Sequence, residues 1–530
     1  MKKMYTWFKN YPNVLFFFFV AVMTVSYYDG VLEKEPMNMH LWRQTDCLSL
    51  ARNYANGAAF AEPEIDILLA DKLTTGKTAG EFPVLYYLVG KTWSVFGESV
   101  MLYRVFYLLI LLAGVFAFFR TLLLLNFGNF WSTVLSLLLF TSPVFVVFGV
   151  SFLTDVPAFC FILIAFYFLV RSIRIPWAKY SLWWAVLFFA LAGLIKVSSL
   201  ILFVFLGAAF LIELLGKKLS EGGRVFQRPG ATFIGFGIVI LAVFSWYFYA
   251  SYYNEQHQFK YTFNSIYPLW LMDEAGLAKL WDGMKTTTTI IFFSRPMIAL
   301  VVLLPLVNLL FFRKLPLIIS LGNIFVFTGG LLYFLLWAPL FENHDYYYIP
   351  LLILFVSSFV PFFYWLKERK EKIYRSPVLK ILFVLFLGYN FIYCLSVVKL
   401  KTRAAEGDFP VVGNEQFVGM MRWVNWDVSA NWWRYKAVLP DLEKAGVQPD
   451  DKVICLSDYS FSVSLYFLNK RGWTNFMHYS SREEIDQLID AGAKYLFITD
   501  PAQLELDYIQ PFLEKPLGEF KGIHVFTLAG

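Results

Sequence analysis

Residues 14–46 read VLFFFFVAVMTVSYYDGVLEKEPMNMHLWRQTD, and the fold turns on the change of character inside that stretch. Its first part, 14–28, carries no charge and is apolar enough to sit in lipid. Its last part sets His40, Trp42, Arg43, Gln44 and Asp46 almost side by side. A chain that leaves an apolar span and at once concentrates polar groups reads as a membrane protein with chemistry at its surface.

The composition agrees. Of 530 residues, 58% are hydrophobic and only 16% are charged, where a soluble domain carries about a quarter charged residues. The mean hydropathy is +0.57. A polytopic α-helical membrane protein follows. The 58 Phe, 31 Tyr and 17 Trp suit lipid contact and interfacial belts. The net charge of +6 lies mostly in short clusters between apolar runs, so it sets topology and is no nucleic-acid signature. The cysteines, at 47, 160, 394 and 455, form no C-x-x-C pair, which gives zinc and thioredoxin-type chemistry little support. Cys160 and Cys394 fall in apolar runs. Cys47 and Cys455 fall in segments expected outside, and a disulfide between them is one option. The start, MKKMYTWFKNYPNVLFFFF, is basic and then apolar, with no A-x-A-like cleavage site after the run, and reads as a retained first helix.

A span needs about 20 apolar residues. Candidates lie at 13–28, 100–119, 131–150, 152–170, 181–195, 197–215, 231–252, 288–311, 315–338, 347–365 and 378–398, which makes about eleven helices. The pair flanking Lys196 reads as one broken helix or two short ones. With Lys2, Lys3 and Lys9 placed inside, every basic cluster falls on the same side: Arg120; Arg171, Arg174 and Lys179; Lys217, Lys218, Arg224 and Arg228; Arg313 and Lys314; and the run Lys367–Arg375. The opposite turns near 150 and 340–346 hold no Lys or Arg. An odd count then gives an N-in, C-out protein. The membrane domain covers 1–398, with an outer loop at 29–99 in which FPVLYYLVGKTWSVFG (82–97) reads as an interfacial helix. Residues 253–287 form a second outer loop.

The tail, 399–530, reads as an extracytoplasmic α/β domain. Segments 451–458, 493–500 and 522–530 look like buried strands. SREEIDQLIDAG (481–492) looks like a helix with Ser481 and Glu484 at capping-box spacing and Gly492 at its end.

With sides assigned, the polar outliers collect outside: Asp46 and Glu81 in the first loop, Asp155 at the head of its helix, Lys196 between two runs, and His344 and Asp345 in FENHDYYYIP. Each has a plain structural reading. Asp155 caps a helix. Lys196 snorkels to headgroups. Arg43 and Arg52 pair with Asp46 or lipid phosphate. His344 lies at the surface, and Tyr346, Tyr347 and Tyr348 form an aromatic belt. Together on one face, however, they suit a lipid-linked phosphate donor, whose phosphate wants Arg or Lys, and a hydroxyl acceptor, which wants a carboxylate base. No G-x-x-x-x-G-K-[ST], usable G-x-G-x-x-G or D-x-D supports a nucleotide-sugar donor.

The order HLWRQTD…LARNY, GEFPVLYYLVGKTWSVFGES, RVFYLL, TDVP and DYYYIP, followed by an α/β tail, resembles the type C glycosyltransferases. The similarity is to the branch of the protein O-mannosyltransferases and the lipid A aminoarabinose transferase, and covers about residues 10–400. It implies inverting transfer of a sugar from a polyprenyl phosphate to an acceptor outside the cytoplasm. It assigns Asp46 to the acceptor, although the branch often shows an Asp-Glu pair where this chain has Gln44, Thr45 and Asp46. Glu81 and Asp155 match acidic residues of the branch, and Lys196 matches a basic residue facing donor phosphate. Arg43 or Arg52 then meets phosphate or carboxylate, Trp42 stacks on sugar, and His40 supports Asp46. His344, Asp345, Tyr346 and Tyr347 complete the substrate set. No metal or cofactor is required. The competing readings are a metal-dependent oligosaccharyltransferase-like enzyme using Glu64 and Asp66, a transporter, and a scaffold. The partners expected are membrane lipid, the donor and the acceptor, with no nucleic acid. The absence of a eukaryotic retention signal favours a bacterial inner membrane.

Overall fold

The computed structural model describes residues 12–221, 223–259, 265–403, 412 and 414–528. Lys2, Lys3 and Lys9 lie outside the described residues. Every apolar interval picked from the sequence overlaps helix, with breaks at 140–142 and 293–294 inside two of them. Among the described residues, seven helices are long and apolar enough to cross a bilayer: Val100–Leu124, Asp155–Arg174, Val197–Leu214, Pro229–Gln256, Leu317–Leu336, Asp345–Arg369 and Pro377–Arg403. The pair Glu274–Phe292 and Arg295–Leu310 makes eight if it is one broken span. Asn13–Tyr28, Gly128–Leu139 and Ser181–Ile195 are apolar but shorter. At a rise of about 1.5 Å per residue the last two fall short of a hydrocarbon core about 30 Å thick. Among the described residues length thus marks seven or eight candidate spans, where the sequence suggests about eleven. Around Lys196 the chain forms two helices, parted by the extended backbone of Lys196 itself (φ −152°, ψ 100°).

Exposure says what solvent the bundle fits. Pro229–Gln256 turns Phe233, Leu241, Phe244 and Phe248 outward, each about two-thirds exposed or more. A soluble monomer does not display such a stripe to water, and hydrocarbon accepts it. Asp155–Arg174 is mostly buried and runs against Val100–Leu124, where Gly114 lets the backbones close: a Cβ there would stand 2.7 Å from Cys160.

The helices also sort charge. Asp155 opens a helix that ends on Arg171 and Arg174. Asp345 opens one that ends on Lys367 and Arg369. The antiparallel Pro377–Arg403 brings Lys401 back to Asp345. The carboxylates thus gather at the end of the bundle opposite these basic clusters.

The tail folds as a five-stranded sheet: β1 Lys452–Cys455, β2 Gly472–Thr474, β3 Ala493–Ile498, β4 Pro516–Phe520 and β5 Ile523–Thr527, ordered β2-β1-β3-β5-β4. The first three strands are parallel, and β5 runs antiparallel to β3 and β4. Helix Arg482–Asp490 carries the Ser481/Glu484 capping box that its spacing predicts. β2 and β4 have no counterpart in the sequence reading: Gly-Trp-Thr is too short for a period, and β4 contains both Pro516 and Gly518. The last membrane helix continues to Arg403, past the boundary expected at 398.

The tail is fastened to the loop at 29–99. Ile67 bridges Gly472 in parallel; Leu68 N–H donates to the Gly472 carbonyl at 2.9 Å, and Gly472 N–H to the Asp66 carbonyl at 3.1 Å. The disulfide option is overturned, because Cys47 and Cys455 are separate buried thiols. Cys47 lies 3.5 Å from the Tyr86 hydroxyl, and Cys455 is locked into the paired strand β1.

Two outcomes test this architecture. A Cβ at Gly472 would sit 1.9 Å from the Val453 carbonyl oxygen, so Gly472→Ala should cost about 1–3 kcal/mol or more and lower the melting temperature of the detergent-solubilised protein. Lys401 is wholly buried and ion-paired to Asp345. Lys401→Met alone should cost about 3–5 kcal/mol by stranding a buried carboxylate, and adding Asp345→Asn should recover much of that in thermal melts.

Candidate active site

Helix Leu41–Ala55 begins after a sharp reversal. Asn38 adopts φ +80°; its Oδ1 accepts Met39 N–H at 2.6 Å, and its Nδ2 donates to the Lys401 carbonyl at 3.1 Å. From there the helical period puts Arg43, Asp46 and Leu50 on one face, which lines a cavity of ≈ 520 Å³. The other walls come from Thr78–Pro83, from Lys196 to Ser198, and from the turn that holds His344, Tyr346 and Tyr347. The polar cluster of residues 39–46 is one wall of a site.

Five charges form a chain across this wall. Asp46 Oδ2 lies 4.0 Å from Arg43 Nη1. Arg43 Nη2 donates to Glu81 Oε1. Glu81 Oε1 lies 3.5 Å from Lys196 Nζ, which stands 3.2 Å from Asp155 Oδ1. Four distant segments supply them. Asp155 does not cap its helix: Thr154 holds the N-cap position with no side-chain cap bond, and Asp155 serves Lys196. Lys196 does not simply snorkel, since its ammonium meets two carboxylates.

Electrostatics separates the two loop carboxylates. Burial pushes Asp46 up to about 7, although Arg43 and the Ser462 hydroxyl pull the other way. Burial also opposes the charge on Glu81, but Arg43 and Lys196 outweigh it and hold the carboxyl at about 2. Glu81 is a permanent anion, whereas Asp46 titrates near neutrality. Asp46 Oδ1 accepts from Ser462 Oγ at 2.7 Å, while Oδ2 is buried without a hydrogen-bond partner.

A second charged group supports the floor. His40 Nε2 lies 2.8 Å from Asp345 Oδ1, and Lys401 donates to Asp345 Oδ2. His40 reaches the cavity, but Asp345 is buried behind it. His344 stacks over His40 with centroids 5.8 Å apart; burial and then His40 pull it down to about 4. Tyr346 packs edge-on to His40 at 4.9 Å. Tyr346 and Tyr348 are therefore interior, and the tyrosine run is no belt.

Arg52 is placed elsewhere. Nine residues beyond Arg43 it lies two and a half turns on, at the opposite side of the helix. There it holds Glu98 through Nε (3.0 Å) and Nη2 (2.8 Å) and stands 3.6 Å from Asp66. Glu64 is paired with Arg471. Glu64 and Asp66 are thus each matched to an arginine, an unfavourable donor set for a cation. Among the described residues, no three His, Cys, Asp or Glu side chains are grouped to hold a metal.

Ser462 and Phe461 of the tail, and Lys401, were not among the sequence candidates. Each acts through a partner far away in the chain, and DYSFSVS (458–464) carries no motif that points to Asp46.

Comparison with known proteins follows this geometry. The family model described as dolichyl-phosphate-mannose-protein mannosyltransferase matches residues 31–262. No curated protein matches in sequence. ArnT from Cupriavidus metallidurans shares the fold in its apo state, at 10% identity and a TM-score of 0.54, over 97% of each chain. The same protein bound to undecaprenyl phosphate gives 11% and 0.55 over 98% of each chain. The archaeal oligosaccharyltransferase AglB from Archaeoglobus fulgidus, in complex with an inhibitory peptide and a dolichol-phosphate, gives 12% and 0.50 over 93% of this chain and 70% of that one. The chain thus shares the fold of these solved structures over nearly its whole length, and its residues 31–262 match the mannosyltransferase family model.

Proposed function

We propose that this protein is an inverting glycosyltransferase that moves a sugar from a polyprenyl-phosphate donor to a hydroxyl-bearing acceptor at the outer face of a multi-pass plasma membrane, as in a bacterial inner membrane. The observation that carries this reading is the pairing, in one cavity, of a carboxylate, Asp46, with two cations, Arg43 and Lys196, that Glu81 and Asp155 hold in place. The segregation of this end of the bundle from the basic clusters supports its outward placement. Neighbours of the same fold were captured with undecaprenyl phosphate and with a dolichol-phosphate, which supports a lipid-phosphate donor.

The chemistry uses each group once. The acceptor oxygen attacks the anomeric carbon as its proton passes to the Asp46 carboxylate. The bond between that carbon and the phosphate oxygen breaks on the opposite side, so the centre inverts. The departing lipid phosphate takes the electron pair, and Arg43 and Lys196 meet its charge. Glu81 and Asp155 position the two cations. Trp42, on the cavity wall, offers a ring face to sugar.

Two outcomes follow. Asp46 works as a base only when ionised, so kcat/KM should rise with pH up to about 7 and level off above it. Glu81, held near 2, should add no limb between pH 4 and 9. Asp46→Asn should remove the limb and lower kcat by roughly 10²–10⁴-fold in a protein that still melts cooperatively. Transfer by purified protein should survive EDTA; loss of turnover in EDTA, restored by a divalent cation, would favour the metal-dependent alternative.

A further inference from the structure

One contact inside the cavity comes from the far end of the chain. Ser462 is fully buried in the loop between β1 and helix Val463–Leu468. Its Oγ donates to Asp46 Oδ1 at 2.7 Å and lies 3.3 Å from Thr45 Oγ1. Among the described residues it is the one hydrogen-bond donor on that carboxylate, since Oδ2 accepts none and Arg43 Nη1 stands 4.0 Å away.

The loop is built to stay where it is. Asp458, also fully buried, accepts from Ser460 N–H at 2.7 Å, Ser464 N–H at 2.8 Å and Ser464 Oγ at 2.5 Å. Thr474 Oγ1, at the end of β2, donates to the Ser460 carbonyl at 2.6 Å. Phe461 lines the cavity and stacks on Trp42 at 6.0 Å, with Phe476 edge-on to both. This loop leaves the carboxyl end of a parallel strand, where α/β sheets place their ligands. The tail therefore presents its ligand-binding edge to the membrane site.

We propose that Ser462 is a positioning residue for the transfer reaction: its hydroxyl fixes Asp46 through Oδ1 and holds the carboxylate that lines the cavity in place to take the acceptor's proton, which makes the tail part of the catalytic unit. The proposal rests on Asp46 as the base. A hydrogen bond to the charged form favours that form, so removing it should make Asp46 harder to ionise.

The test uses the full chain in lipid nanodiscs, as wild type, Ser462→Ala, Ser462→Thr and Ser462→Cys. Two quantities are read across pH 5.5–9: sugar transfer from polyprenyl-phosphate monosaccharides, and labelling of Asp46 by dicyclohexylcarbodiimide, which modifies protonated carboxyls, followed by mass spectrometry. In Ser462→Ala the labelling midpoint and the rising limb should both move up by about one pH unit. Turnover at pH 7 should fall about tenfold and partly recover at pH 9, with donor KM unchanged. Ser462→Thr should keep wild-type behaviour. Ser462→Cys, similar in size but a weak donor, should shift in the same direction as alanine and serves if alanine misfolds. Unmoved labelling, or a loss of turnover equal at every pH, overturns the proposal. A shifted midpoint in a wild-type background that transfers no sugar sustains the Ser462–Asp46 coupling and overturns the transfer reading instead.

Discussion

The structure depends on Glu81 being charged in a place where charge is unwelcome. Its carboxylate sits at the head of an apolar bundle, and it stays ionised because Arg43 and Lys196 close on it from two sides. Without it Arg43 would lose its nearest carboxylate and Lys196 one of two. Glu81 thereby ties the loop at 29–99 to the junction of the two helices that flank Lys196, and Asp155 extends the tie to a third. A small change in any of these helices would be felt as an unpaired charge. The geometry of the cavity is consequently held by electrostatic necessity as well as by packing.

The same principle explains what the sequence revealed. Lys196 stood out because a lysine between two apolar runs has no local partner, and the partner it finds is distant and acidic. Asp155 and Glu81 stood out for the mirror reason. Residues whose role is set by nearby neighbours were also readable: the Ser481/Glu484 box depends on a spacing of three, and the structure contains it. Arg52 was misleading because its distance along the helix from Arg43, not its chemistry, decides which side it faces. The three-residue strand β2 carries too little pattern to announce itself, and only the pairing of Gly472 with both Val453 and Ile67 makes it a strand.

The least legible feature is the dependence of the site on the tail. Asp46 and Ser462 are 416 positions apart, and no local periodicity relates them. The sequence suggested two domains in series. The structure instead interleaves them, with the first loop extending the edge of the sheet and the sheet's loop entering the cavity. Mutational maps that treat the tail as an independent module would misassign substitutions at Phe461, Ser462 or Gly472.

The bridge between Ile67 and Gly472 has a consequence for the order in which the molecule is made. Ribosomes add roughly 5–20 residues per second, so the helix that carries Asp46 exists for roughly 20–80 s before its serine partner is synthesised. During that interval the loop at 29–99 lacks the Ile67–Gly472 bridge, and Asp46 has no hydrogen-bond donor from the tail. Assembly is thus timed by the last segment to arrive, and a nascent chain cannot hold a finished site before its final domain has docked.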